Sequence, residues 1–103
     1  MKKIKIIYAG VAEDDFRKME VDNDLKVFQD LVGGNIEVIT LTTDLAMVVN
    51  EEGRLLGLPD NENTPKLFKG PLKGNFLIVG VNGDDFADWD SGSGAEAFVD
   101  KLL

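Results

Sequence analysis

The chain has no cysteine and no histidine, only three prolines, and eleven basic residues against nineteen acidic ones in 103 positions. Without cysteine there are no disulfides, no thiolate nucleophile and none of the usual structural zinc sites. Without histidine the commonest general base and the Ser-His-Asp arrangement are gone. A net charge of −8 argues against direct contact with a phosphate backbone, which calls for clustered Lys and Arg. Long apolar runs are also missing. The most apolar stretch, Phe76-Leu77-Ile78-Val79, falls far short of the ~20 residues that cross a bilayer. Lys5 interrupts the apolar residues behind Met1-Lys2-Lys3, so no signal-peptide pattern forms. The expectation is one cytoplasmic domain over residues 1–103, with no cofactor, no membrane contact and no direct nucleic-acid binding.

What is present reads as mixed α and β. Lys3 to Tyr8 opens with the charged–apolar alternation of a half-buried strand, and Gly10 to Asp15 follows as an acidic turn. Phe16 to Val21 is a short second strand with Met19 and Val21 on its inner face. Leu25, Phe28, Leu31 and Val32 recur on one helical face, capped by Asp22 or Asn23 and stopped by Gly33-Gly34. Asn35–Leu41 and Leu45–Val49 predict an antiparallel hairpin across Thr42-Thr43-Asp44, and Arg54-Leu55-Leu56 a further strand. Gly57 to Pro71, holding all three prolines, predicts a loop with at most one helical turn. Asn75 to Val81 is the most buried strand on composition. Asn82-Gly83 predicts a type I′ turn, followed by an edge strand or irregular segment over Asp84 to Trp89. Ser93-Gly94-Ala95-Glu96 has the capping-box order ahead of a short C-terminal helix. The fold class is therefore α+β: a small, mostly antiparallel sheet with one amphipathic helix packed on it and a short helix at the end.

Several motifs fail as chemistry. Gly92-Ser93-Gly94-Ala95-Glu96-Ala97 has the letters of the dinucleotide fingerprint, but only nine residues follow Gly94, too few for the second strand of a βαβ unit. The order of the Asp84–Asp90 carboxylates meets no EF-hand register, so no metal site is assigned. The sequence neighbours Glu51-Glu52 and Asp84-Asp85 diverge on extended backbone rather than face each other across a cleft, which argues against glycoside hydrolysis.

Two stretches remain as candidate sites. Asn50, Arg54, Asn61, Asn63, Thr64, Lys66 and Lys69 lie in or beside the proline-stiffened loop, where ligand contacts usually sit, and their basic members would meet a small anion such as a nucleotide; Lys73 stands nearby. Asp84, Asp85, Asp88 and Asp90 belong to a stretch from Asn82 onward with six acidic residues against the single basic Lys101. Carboxylates spread over an exposed surface imitate phosphates and attract a cationic protein partner.

The blocks Leu31–Val38, Leu45–Gly53, Leu56–Asn61 and Gly74–Gly80, with Asp85-Phe86 after them, resemble domain-of-unknown-function family 3846 over nearly the whole chain. The family pattern continues after its Leu-Pro pair as Asn-Arg, whereas here Glu62 follows Asn61, a charge inversion in the candidate basic loop. The resemblance implies a phage, plasmid or conjugative-element context in Gram-positive bacteria, and no established activity from which catalytic residues could be carried over. The resulting expectation is a non-enzymatic binding protein, sequestering a small nucleotide-derived signal as counter-defence. The alternative is an acidic, DNA-mimic-like module that inhibits a host nucleic-acid-binding or defence protein. A homo-oligomer is compatible with either.

Overall fold

The computed structural model describes residues 2–13, 16–66 and 68–102. Chain order is β1 (Lys3–Ala9), β2 (Arg17–Asp22), α1 (Leu25–Val32), β3 (Ile36–Thr40), β4 (Leu45–Asn50), β5 (Asp60–Asn61), β6 (Leu72–Lys73), β7 (Phe76–Asn82), β8 (Asp85–Ala87) and α2 (Ala95–Leu102). The main sheet runs β2-β1-β7-β4-β3, with β8 on β7, and all its pairings are antiparallel. The fold is thus α+β, with an antiparallel sheet and two helices, the second short and C-terminal. None of the described helices is long and apolar enough to cross a membrane.

Alternation along the strands divides the apolar residues between the two faces of the sheet. Ile4, Ile6, Ala46, Val48, Leu77 and Val79 form one buried cluster with Phe28 and Val32 of α1, and Met19 and Val21 of β2 pack against it. Ile7, Ala9, Leu45, Met47, Val49, Phe76 and Ile78 form the other with Trp89 and with Ala95 and Val99 of α2. Of the three inner strands, β4 and β7 are apolar on both faces, so Leu45–Val49 and Phe76–Val79 lack the polar alternation of β1.

Four local expectations are corrected. Asp24 caps α1, its carboxylate accepting from the Lys26 N–H at 3.4 Å, while Asn23 donates instead to the Phe86 carbonyl at 3.2 Å. Arg54-Leu55-Leu56 is not a strand. It lies in a turn over 51–57 closed by Leu56 N–H to Glu52 O at 2.9 Å and Gly57 N–H to Arg54 O at 3.1 Å. Among the described residues only glycines have positive φ, and Asn82 pairs with Asp85, so the β7–β8 turn is Gly83-Asp84. Gly83, at φ 64°, takes the first central place that a type II′ turn reserves for glycine. Finally, α2 starts at Ala95 behind Gly94, whose carbonyl accepts from Phe98 N–H at 3.0 Å, one residue later than a Ser93 cap would start it. Asp14 and Asp15 of the expected acidic turn lie outside the described residues.

Candidate functional site

The loop residues chosen as ligand contacts fall into two groups. Asn61 is completely buried: its Nδ2 donates to the carbonyls of Ala9 and Gly74, each at 3.0 Å, and its Oδ1 accepts from Asn63 N–H at 2.9 Å. Asn50 is also buried, donating to Val32 O at 3.0 Å and accepting from Glu52 N–H at 2.8 Å. One asparagine thereby ties the loop to the ends of β1 and β6, and the other ties the 51–57 turn to the end of α1. Thr64 Oγ1 donates to Asn61 O at 2.6 Å and accepts from Leu72 N–H at 2.8 Å, while Asn63 Nδ2 donates to Glu13 O at 3.1 Å. All four polar side chains complete backbone hydrogen bonding, as buried carbonyls and amides require.

The basic members are exposed and do not converge. Arg54 lines a depression of about 220 Å³ with Glu37, Ile39 and Lys73, and Lys73 is ion-paired with Asp60. Lys66 lines a separate one of about 440 Å³ with Phe16, Glu62, Asn63, Thr64 and Lys101. Lys69 stands exposed beside Phe68 and Gly70. Among the described residues neither Lys66 nor Lys101 is ion-paired.

The acidic segment also divides. Asp88 Oδ1 accepts from the Lys5 backbone N–H at 2.8 Å, and Trp89 N–H donates to Lys5 O at 2.9 Å, so this stretch occupies the edge of β1 where β8 replaces it beside β7. Asp90 pairs with Lys5 Nζ at 3.2 Å, and this bond and charge raise the Lys5 pKa above its ordinary value. The segment passes so close over β7 that a Cβ on Gly80 would lie 2.0 Å from the Asp88 carbonyl oxygen. Asp84 and Asp85, at the hairpin tip, are exposed and carry no ion pair among the described residues. They edge a depression of about 200 Å³ walled by Leu25, Phe28, Ile36 and Phe86, where the Phe28 and Phe86 rings meet edge-on at 5.3 Å. Leu25, the first residue of α1, is 54% exposed there. No group of three or more acidic side chains among the described residues could hold a metal ion.

Leu25, Ile36 and Phe86 were not singled out as contact residues, because an apolar residue in an amphipathic pattern reads as core. Asn75, equally unforeseen, bridges α1 and the β1 end by donating to Leu31 O at 3.1 Å and accepting from Val11 N–H at 2.9 Å.

These features define an α+β domain on an antiparallel sheet, with a small groove at one end that joins apolar side chains to Asn23 and to two carboxylates that carry no ion pair among the described residues. The chain belongs to the family described as Domain of unknown function (DUF3846), whose model matches residues 4–100. No curated protein and no solved structure matches it.

Proposed function

We propose that the chain acts by binding, as an acidic protein-interaction module whose contact surface is the groove between α1, β3 and the β7–β8 hairpin. The observation that carries this reading is the juxtaposition of free Asp84 and Asp85 with exposed Leu25 over Ile36, Phe28 and Phe86. An apolar anchor seated in the groove would be held by burial, and a Lys or Arg beside it by the carboxylates. Cationic, partly apolar segments are characteristic of nucleic-acid-binding proteins, so a host protein of that class, or a defence protein sharing that chemistry, fits the surface. The carboxylates would stand where the partner otherwise meets phosphates.

A lysine- and leucine-rich model peptide is the direct probe. Titrated into isotope-labelled protein, it should shift the amides of Leu25, Phe28, Ile36 and Asp84–Phe86. The affinity should fall as salt rises, and D84N/D85N should remove most of it. Shifts spread evenly over Asp30, Glu51 and Asp100, or an affinity indifferent to D84N/D85N, would contradict the assignment.

A second reading, sequestration of a small nucleotide-derived anion, draws its support from Lys66 and Lys101, two cations on one depression with Phe16 that carry no ion pair among the described residues. Native mass spectrometry of protein purified from its host would show a bound mass of a few hundred daltons, lost in K66A/K101A. Bare protein at every charge state would remove this reading.

A further inference from the structure

The two outer strands of the sheet are built differently. On β2, four of the six residues, Arg17, Lys18, Glu20 and Asp22, are charged. Arg17 pairs with Glu13 at 3.3 Å and lies over the Tyr8 ring at 5.5 Å, Lys18 lies over Trp89 at 5.1 Å, and Asp22 pairs with Lys3 at 3.1 Å. Such an edge resists pairing with another strand. On β3, Ile-Glu-Val-Ile-Thr, Glu37 is the one charge, and there is no Lys or Pro. Val38 in its centre is 45% exposed, and among the described residues no strand pairs beyond it.

The hydrogen-bond phase of β3 fixes what this edge offers. Leu41 N–H donates to Leu45 O at 2.9 Å and Glu51 N–H to Asn35 O at 2.8 Å, so the odd-numbered residues from 35 to 41 bond towards β4. The amides and carbonyls of Ile36, Val38 and Thr40 therefore point outward, an unused ladder of three donors and three acceptors.

We infer that β3 is a self-association edge, pairing antiparallel with β3 of a second copy of this chain about a two-fold axis at Val38. In that register Val38 faces Val38 of the second copy, Ile36 faces Thr40, and Glu37 faces Ile39. All three outward residues become hydrogen-bonded pairs, and no like charges stand opposite each other. A shift of one step towards the N-terminus would set Glu37 against Glu37, which is destabilising. An edge contact of five residues is smaller than a standard interface, and each copy carries a charge of −8, so the dimer is weak and strengthens with salt. That salt response is opposite to the one expected for a cationic partner in the groove, and the inference does not rest on the groove.

The test is sedimentation velocity from about 10 μM to about 1 mM, a range suited to a weak interface, at low and high salt. It is joined by amide hydrogen exchange over the same concentrations. The expected result is a dimer that grows with concentration and salt. The Ile36, Val38 and Thr40 amides should slow in step with it, while Glu37 and Ile39 stay protected throughout. V38K should remain monomeric. Because the chain lacks cysteine, V38C gives a single thiol per copy, and the register sets the two thiol-bearing Cα atoms about 5.5 Å apart, within disulfide reach. E37C sets its pair diagonally, about 7–8 Å apart, and should cross-link more slowly. This comparison also decides the matter if V38K does not fold. A monomer at the highest concentration and salt would overturn the inference. So would a dimer whose three edge amides exchange freely, or cross-linking of V38C no faster than that of E37C.

Discussion

The polar loop over 50–73 and the acidic hairpin over 82–90 use their polar residues in opposite directions. In the loop, Asn50, Asn61, Asn63 and Thr64 turn their side chains towards the chain's own backbone. In the hairpin the framework is made by β-pairing and by the approach of Asp88 to Gly80, which leaves Asp84 and Asp85 exposed and without an ion pair among the described residues. A loop rich in asparagine is thus a structural fastening, and the hairpin tip keeps the exposed carboxylates that the proposed contact requires. Polarity in a sequence does not separate these uses; burial and hydrogen-bond partners do.

The largest effect should come from the hairpin's backbone crossing. G80A places a methyl group onto the Asp88 carbonyl, and neither side can yield without parting β8 from β7. A loss of about 3 kcal/mol in urea denaturation is expected, the upper part of the range for overpacking. If G80A is neutral, the hairpin is not held in the way described. N50A comes next. It leaves Val32 O and Glu52 N–H without their partner and should cost about 1–3 kcal/mol. Loss of stability without loss of peptide binding would confirm that Asn50 belongs to the framework.

A smaller effect sharpens the comparison within the acidic segment itself. The Lys5 pKa is raised chiefly by the hydrogen bond and charge of Asp90. A raised pKa means the protonated lysine is favoured in the folded state. Its contribution is therefore complete below the ordinary lysine value of 10.5 and is lost as pH rises above it. The wild type should lose thermal stability above that pH more steeply than D90N, and D84N/D85N should follow the wild type. Parallel curves for wild type and D90N would show that Asp90 is as free as the two aspartates at the tip.

The sheet's strands were legible because alternation and β-branched runs mark them directly: Asn35–Leu41, Leu45–Val49 and Asn75–Val81 predict β3, β4 and β7, which differ from those bounds by at most one residue at each end. Strand order was not legible, since the contacts that set β1 beside β7, and β4 beside β7, join residues far apart in the chain. At the candidate site, the exposure of Asp84 and Asp85 follows from their place in a tight turn, but the groove beside them needs Leu25, Ile36 and Phe86 brought together from three elements. Asn50 and Asn61 did carry a local signal. Each accepts from the backbone N–H two residues on, the Asx-turn habit of asparagine, which marks a structural role before any tertiary contact is known. Leu55, 82% exposed in the 51–57 turn, shows the converse: an apolar residue whose pattern predicts a strand and whose place is on the surface.

The comparison between the two regions is tested most directly by urea denaturation of N61A beside D84N/D85N. N61A leaves the Ala9 and Gly74 carbonyls and the Asn63 amide without their partner in a fully buried position. It should lose about 2–3 kcal/mol, while the exposed aspartate pair should stay within about 0.5 kcal/mol of the wild type. An N61A protein as stable as the wild type, or a D84N/D85N protein that unfolds markedly earlier, would contradict the assignment of the loop to structure and the hairpin tip to contact.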